Sequence, residues 1–280
     1  MDLYELIQMP AARFCFVIVL LSIVLAVGGL LFFRKFLNNF YFRSEDNVVA
    51  NIVIRQISTL LAVMLGFAVI TIWQDYELQR SNIGVEASIM GNIYRDSRGM
   101  DAETEKNIQS LLVDYTRQVV NDAWPKMKLG QESELSWMAF NKLYGYIIRL
   151  NSENTREEIV HSRLVHHLNE LAKYRRLRHI RNAEPLIPPM LWGVFYSSTM
   201  LILVCGFFLR TGSLRLQTIM TAITGIVFGL IFSMLLLLNY PYRSSMQVSP
   251  APIKNLLEDV YPMASITQNV GGMEKMQANP

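Results

Sequence analysis

"LAVMLGFAVITIWQDYELQRSN", Leu61 to Asn82, passes from residues apolar enough to lie in lipid into a stretch carrying Asp75, Glu77 and Arg80. No proline separates the halves and no glycine interrupts the junction at Trp73–Asp75. Those are the residues that break helices, so their absence predicts one long helix from about Ile52 to about Ser97. Such a helix leaves an apolar medium and continues into water. What its free face touches on the way is the functional question.

Working outward, the 280 residues are 51% hydrophobic and 18% charged, with apolar runs near both ends and a charged middle. The balance of 26 Lys+Arg over 23 Asp+Glu is too even for a nucleic-acid-binding surface. Four runs are candidate spans: Phe14 to Phe33, Ile57 to Trp73 (reaching back to Ile52 if Arg55 snorkels), Met190 to Leu209 and Leu216 to Leu238. The first is longer than a signal-peptide core and ends in "FFRKF" rather than a small-residue cleavage site, so it reads as a permanent helix. The expected fold is an all-α integral membrane protein of four transmembrane helices, with a cytoplasmic helical bundle between the second and third. The expected organisation is two membrane helices in 1–73, a helical region in 74–189, two more membrane helices in 190–240, and a partly disordered tail in 241–280. Cys15 and Cys205 both fall within spans and read as small packing residues, not as a disulfide or a zinc site.

Four spans place both termini and the middle segment on one side. Arg13, Arg80, Arg243 and the run "YRRLRHIR", with Arg175, Arg176, Arg178 and Arg181, lie on that side. Arg34, Lys35, Arg43, Arg55, Arg210 and Arg215 lie opposite. The dense run beside the third span suits an anionic cytoplasmic leaflet, which gives a multi-pass membrane protein with cytoplasmic termini.

The middle segment carries helix signals. Asp101 precedes acids in a first turn, and Leu111, Leu112, Tyr115 and Val119 form a stripe. Pro125 and Gly130 are expected to end that helix. Ser133 caps a further helix, and Asn154 caps one from Thr155 towards Arg181 with Ile159, Leu164, Leu168 and Leu171 inside. "EPLIPPM" breaks the chain before the third span. Gly84, Ala87, Ser88 and Gly91 share a face where another helix can come close, either from the same chain or from a neighbouring subunit.

"MLGFAVITIWQDYE", Met64 to Glu77, resembles the second membrane helix of bestrophin anion channels: Leu65-Gly66-Phe67, then Thr71, Trp73, Gln74, Tyr76 and Glu77. "WQDYELQRSNIGVEASIMGNIYRDSRGM", "VDYTRQVVNDAWPKM", "PPMLWGV" and "NYPYR" resemble the bacterial bestrophin-like family, over roughly Ile52 to Arg243. The resemblance implies a homo-oligomer, favouring a pentamer, that conducts permeant anions through a pore lined by the second span. Aligned on Leu-Gly-Phe, the three neck positions fall at Thr59, Val63 and Phe67. Only Phe67 keeps the aromatic character of that neck. The tail offers only Glu258, Asp259 and Glu274 where bestrophins carry an acidic calcium clasp, so no metal site is carried over and no cofactor is expected.

The residues support a physical reading of the same helix. Arg55, Thr59, Val63, Phe67, Ile70 and Gln74 drift along one face. Rings of Val63 and Phe67 would gate by dewetting, Arg55 would favour anions at the mouth, and Gln74 would mark the cytoplasmic exit. The alternative is that Phe67 and Val63 pack on other spans while Arg55 snorkels. His161, His166 and His167 stand four residues from Glu157 or Glu170 in part, but show no HExxH pattern and read as a solvated face. No phosphate loop, nucleophile elbow or kinase signature is present, so an enzyme is not expected. Two functions remain: an anion-leaning oligomeric channel embedded in a lipid bilayer, and a membrane-anchored helical scaffold or sensor that binds a cytoplasmic partner.

Overall fold

The computed structural model describes residues 8–36, 47–151, 154–209 and 213–261. Among them every regular element is helical: α1 (Ala11–Phe36), α2 (Asn47–Asp96), α3 (Ala102–Gln118), α4 (Trp124–Lys128), α5 (Glu134–Ile148), α6 (Thr155–Ala183), α7 (Pro189–Phe208), α8 (Leu214–Leu238) and α9 (Ala251–Asn255). α2 is unbroken through Trp73–Asp75, as the missing helix breakers predict. α1, α2, α7 and α8 are each long and apolar enough to cross a membrane. The chain divides into two units, one reaching Tyr76 and resuming from Pro185 to Gln247, the other comprising Glu77–Glu184 and the residues from Val248.

In the first unit α1 and α8 make the closest crossing. Water drives little association between apolar helices in lipid, so small residues that let backbones meet do this work. A side chain at Gly229 would put its Cβ 2.8 Å from Val19 Cα, and one at Gly225 would stand 3.1 Å from the Ser22 carbonyl. Each end of the unit carries a polar tie. At one, Gln217 accepts a bond from Arg34 (2.6 Å) and donates to the carbonyls of Gly206 (3.2 Å) and Leu209 (3.3 Å), satisfying acceptors that the end of α7 leaves free. At the other, Asn239 Oδ1 accepts from Ile187 N–H at 2.7 Å and its carbonyl accepts from Leu186 N–H at 3.3 Å. The "NYPYR" and "EPLIPPM" motifs thus hold each other, and Pro189 opens α7 where its missing N–H costs nothing.

In the second unit the three expected caps are in place. Asp101 accepts from Glu103 and Thr104, Ser133 from Ser136 and Asn154 from Glu157, all at 3.0 Å. Caps of this kind contribute about 1 kcal/mol each. The stripe on α3 is Ile108, Leu112 and Tyr115, continued by Val119 just past its end, whereas Leu111 is only half-buried. Pro125 does not end the helix that starts at Ala102. A π-turn over Val119–Ala123, in which Trp124 N–H reaches back to Val119 O, absorbs the proline and lets the helix run on through α4. Gly130 ends it at φ 73°, with Gly130 N–H bonded to Met127 O and Gln131 N–H to Lys126 O, both 2.9 Å.

α6 buries Leu164, Leu168 and Leu171, but Ile159 is 54% exposed because it lies five residues from Leu164, off the stripe. The same stripe carries on through Arg175, Arg178 and Asn182. Arg178 is therefore 1% exposed, and it does not face a lipid leaflet. Its Nε and one terminal nitrogen each donate to the Glu86 carboxylate at 3.0 Å, with Trp124 stacked 5.4 Å from the guanidinium and Met127 Sδ at 3.2 Å. His161, expected on a solvated face, is half-buried and bonded to Ile147 O at 2.8 Å, and His167 stands 3.4 Å from Asp96. Gly91 meets Leu256 of the same chain, while Ser88 stays exposed and Gly84 open.

Burial, then the neighbouring Arg178 and Arg175, hold the His179 imidazole down at about 4. Unfolded, it titrates near its ordinary value of about 6.5. The folded state thus keeps it neutral, and its contribution is present above that ordinary value and lost as pH falls towards the folded one. The thermal midpoint should drop between neutral pH and pH of about 4.5 by more in wild type than in His179→Gln, as followed by circular dichroism. Equal drops would exclude His179 as a contributor.

Candidate functional site

α2 presents two opposite faces within the first unit. Leu61, Leu65 and Ile72 are 2%, 5% and 1% exposed and pack with Phe195 and Ile202 of α7 and Phe232 and Leu235 of α8. Opposite them, Val63, Phe67 and Ile70 are 54%, 68% and 54% exposed, flanked along the helix by Thr59 and Gln74, also exposed. The rotation of about 100° per residue explains the division, since the apolar run is long enough to supply both faces. Val63 and Phe67 therefore lie outside the core cluster that α2 forms with α7 and α8, although Phe67 borders a cavity against α7.

The chemistry along this face is neutral and mostly apolar. Thr59 turns its hydroxyl back onto the helix, donating to Arg55 O at 2.9 Å, and so offers mainly its methyl group outward. No acid lies between Asn47 and Gln74. Arg55 is exposed, but stands apart from the other candidates. Eight residues before Val63, it is rotated about 80° from that residue, towards Ser58 and Ala62. Two apolar cavities flank α2. One, of about 590 Å³, lies against α8 beside Ser58, Gly66 and Phe228. The other, of about 380 Å³, lies against α7 beside Met64, Phe67 and Phe195. Among the described residues no group of three or more His, Cys, Asp or Glu is placed to hold a metal ion.

The buried Glu86–Arg178 pair was not singled out from the sequence, although its register carried the signal. Glu86 lies in the row Ile83, Met90, Ile93, and Arg178 lies seven residues after Leu171. A charge in step with an apolar stripe marks a buried charge that needs a partner.

No match was found among curated proteins, and none among solved structures. The sequence model of the Bestrophin-like domain matches residues 20–253. That range takes in part of α1 and all of α2, α7 and α8, together with the helical region between Glu77 and Glu184. A match over so much of the chain, spanning the helices that carry the free face and the Asn239 tie, shows that this membrane protein belongs to the Bestrophin-like family.

Proposed function

We propose that the chain forms an oligomeric ion channel, anion-leaning, in which copies of α2 surround a central pore. The pentamer is the assembly that the family kinship favours, and that kinship is with anion channels rather than enzymes. The observation that carries the reading is the free face of α2, apolar at Val63, Phe67 and Ile70 and directly opposite the packed face. Around an axis it would form the neck, with Thr59 before it, Arg55 at the mouth and Gln74 at the exit. The protein sits in the bacterial inner membrane as a multi-pass protein, with the helical region and both termini in the cytoplasm.

Particle images of the solubilised protein test the assembly. A ring with an axial cavity supports the pore, and a particle without a lumen supports the scaffold. Selectivity tests the mouth, because a ring of fixed charge concentrates counter-ions. In a zwitterionic bilayer, Arg55→Glu should move the reversal potential towards cation selectivity. The shift should shrink at 1 M salt, where screening acts over about 3 Å. An unchanged reversal potential at low salt would remove Arg55 from the permeation path.

A further inference from the structure

Arg55 is the one charged residue between Asn47 and Gln74. It is exposed and forms no ion pair among the described residues. An arginine at the edge of an apolar span snorkels its guanidinium to the headgroup layer, where lipid phosphates lie within its reach. The cavity between α2 and α8 begins one turn beyond it. Arg55, Ala62 and Val69 are spaced by seven and lie within about 40° of one another around the helix. Ser58 is the only polar side chain among those lining the cavity; Ala62, Gly66, Val69, Phe228 and Ile231 are apolar. Its volume of about 590 Å³ falls within the roughly 300–1,000 Å³ of sites that enclose small molecules. An exposed cation one turn before an apolar groove matches the two halves of one kind of molecule, a phosphate joined to hydrocarbon.

We propose that this groove binds an anionic phospholipid, with the phosphate on Arg55 and an acyl chain lying along Ala62, Gly66 and Val69. The site rests on these helices lying in a bilayer and not on their conducting ions. A lipid phosphate at Arg55 offsets the field that the same residue sets at the proposed pore mouth, so lipid and permeant anions compete for it. Gly66 offers the means of closing the groove, since nothing stands within 4 Å of a Cβ built there. Gly66→Leu therefore fills the groove without a clash at the Cβ.

The test uses the full chain reconstituted with equal amounts of phosphatidylglycerol and phosphatidylcholine, the retained lipid being counted by native mass spectrometry. Wild type should retain phosphatidylglycerol over phosphatidylcholine by about fivefold, the effect of one arginine at an anionic surface. Arg55→Gln should return that ratio to the bulk mixture. Gly66→Leu should lower the lipid retained per subunit while circular dichroism and elution volume stay unchanged. A wild type with no enrichment overturns the proposal, as does enrichment that survives both substitutions. Gly66→Leu that breaks the oligomer but keeps its lipid would also overturn it, by assigning the groove to a second copy of the chain. No current is measured, so these outcomes do not depend on whether the protein conducts.

Discussion

Phe67→Ala should raise the unitary conductance of the reconstituted protein severalfold and should not abolish it. Phe67 is 68% exposed and projects from the side of α2 opposite Leu61, Leu65 and Ile72. Truncating it removes no packing partner from the Leu61–Leu65–Ile72 cluster, so the fold should survive. Repeated around an axis, Phe67 and Val63 would form two apolar rings one turn apart. Water leaves so narrow and apolar a passage, and an ion cannot cross it without its hydration shell. Smaller side chains widen the passage and ease wetting. Val63→Ala should act in the same direction with a smaller effect, because less volume is removed. Single-channel recording in planar bilayers reads both variants. A Phe67→Ala protein that elutes as wild type and conducts as wild type would show that α2 does not form the constriction. A wild-type ring that passes no current under any condition would favour the scaffold.

Arg178→Met should destabilise the helical region by about 3–5 kcal/mol, the usual cost of stranding one member of a buried pair. The Glu86 side chain is 1% exposed, and both its oxygens accept from Arg178 at 3.0 Å. The surroundings offer little to replace that cation. Tyr115 beside it is fully buried, and burial drives its phenol well above the ordinary range, a sign of how poorly this interior supports charge. The thermal midpoint should fall on the order of 10 °C. The double variant Glu86→Leu, Arg178→Met should recover most of that loss, since it leaves no charge stranded and keeps apolar volume. Arg176→Met, an exposed neighbour, is the control. Equal effects at positions 176 and 178 would mean that the ion pair does not hold α2 to α6.

Much of this architecture was legible before any coordinates. Apolar run length identified four helices fit to span a membrane, because hydrocarbon thickness fixes how many residues must be apolar. The absence of breakers at Trp73–Asp75 gave the unbroken α2, and Asp101, Ser133 and Asn154 announced their caps, because both are contests among neighbouring backbone groups. Local chemistry also misled. Pro125 reads as a stop, yet the π-turn over Val119–Ala123 carries the helix past it, and Gly130 is where it ends. Arg178 reads as one of a basic run facing lipid, yet it is the most buried cation of that run.

The sequence alone determined that α2 is one helix, that its apolar residues repeat at helical spacing, and that no acid accompanies Arg55 within it. These follow from covalent order and from the rotation per residue. Only the tertiary structure decided which apolar residues are spent on packing and which are left free. Leu61 and Phe67 are both large and apolar, and nothing in either marks it as inner or outer. The choice depends on where α7 and α8 press against the helix, and those surfaces come from residues more than a hundred positions away.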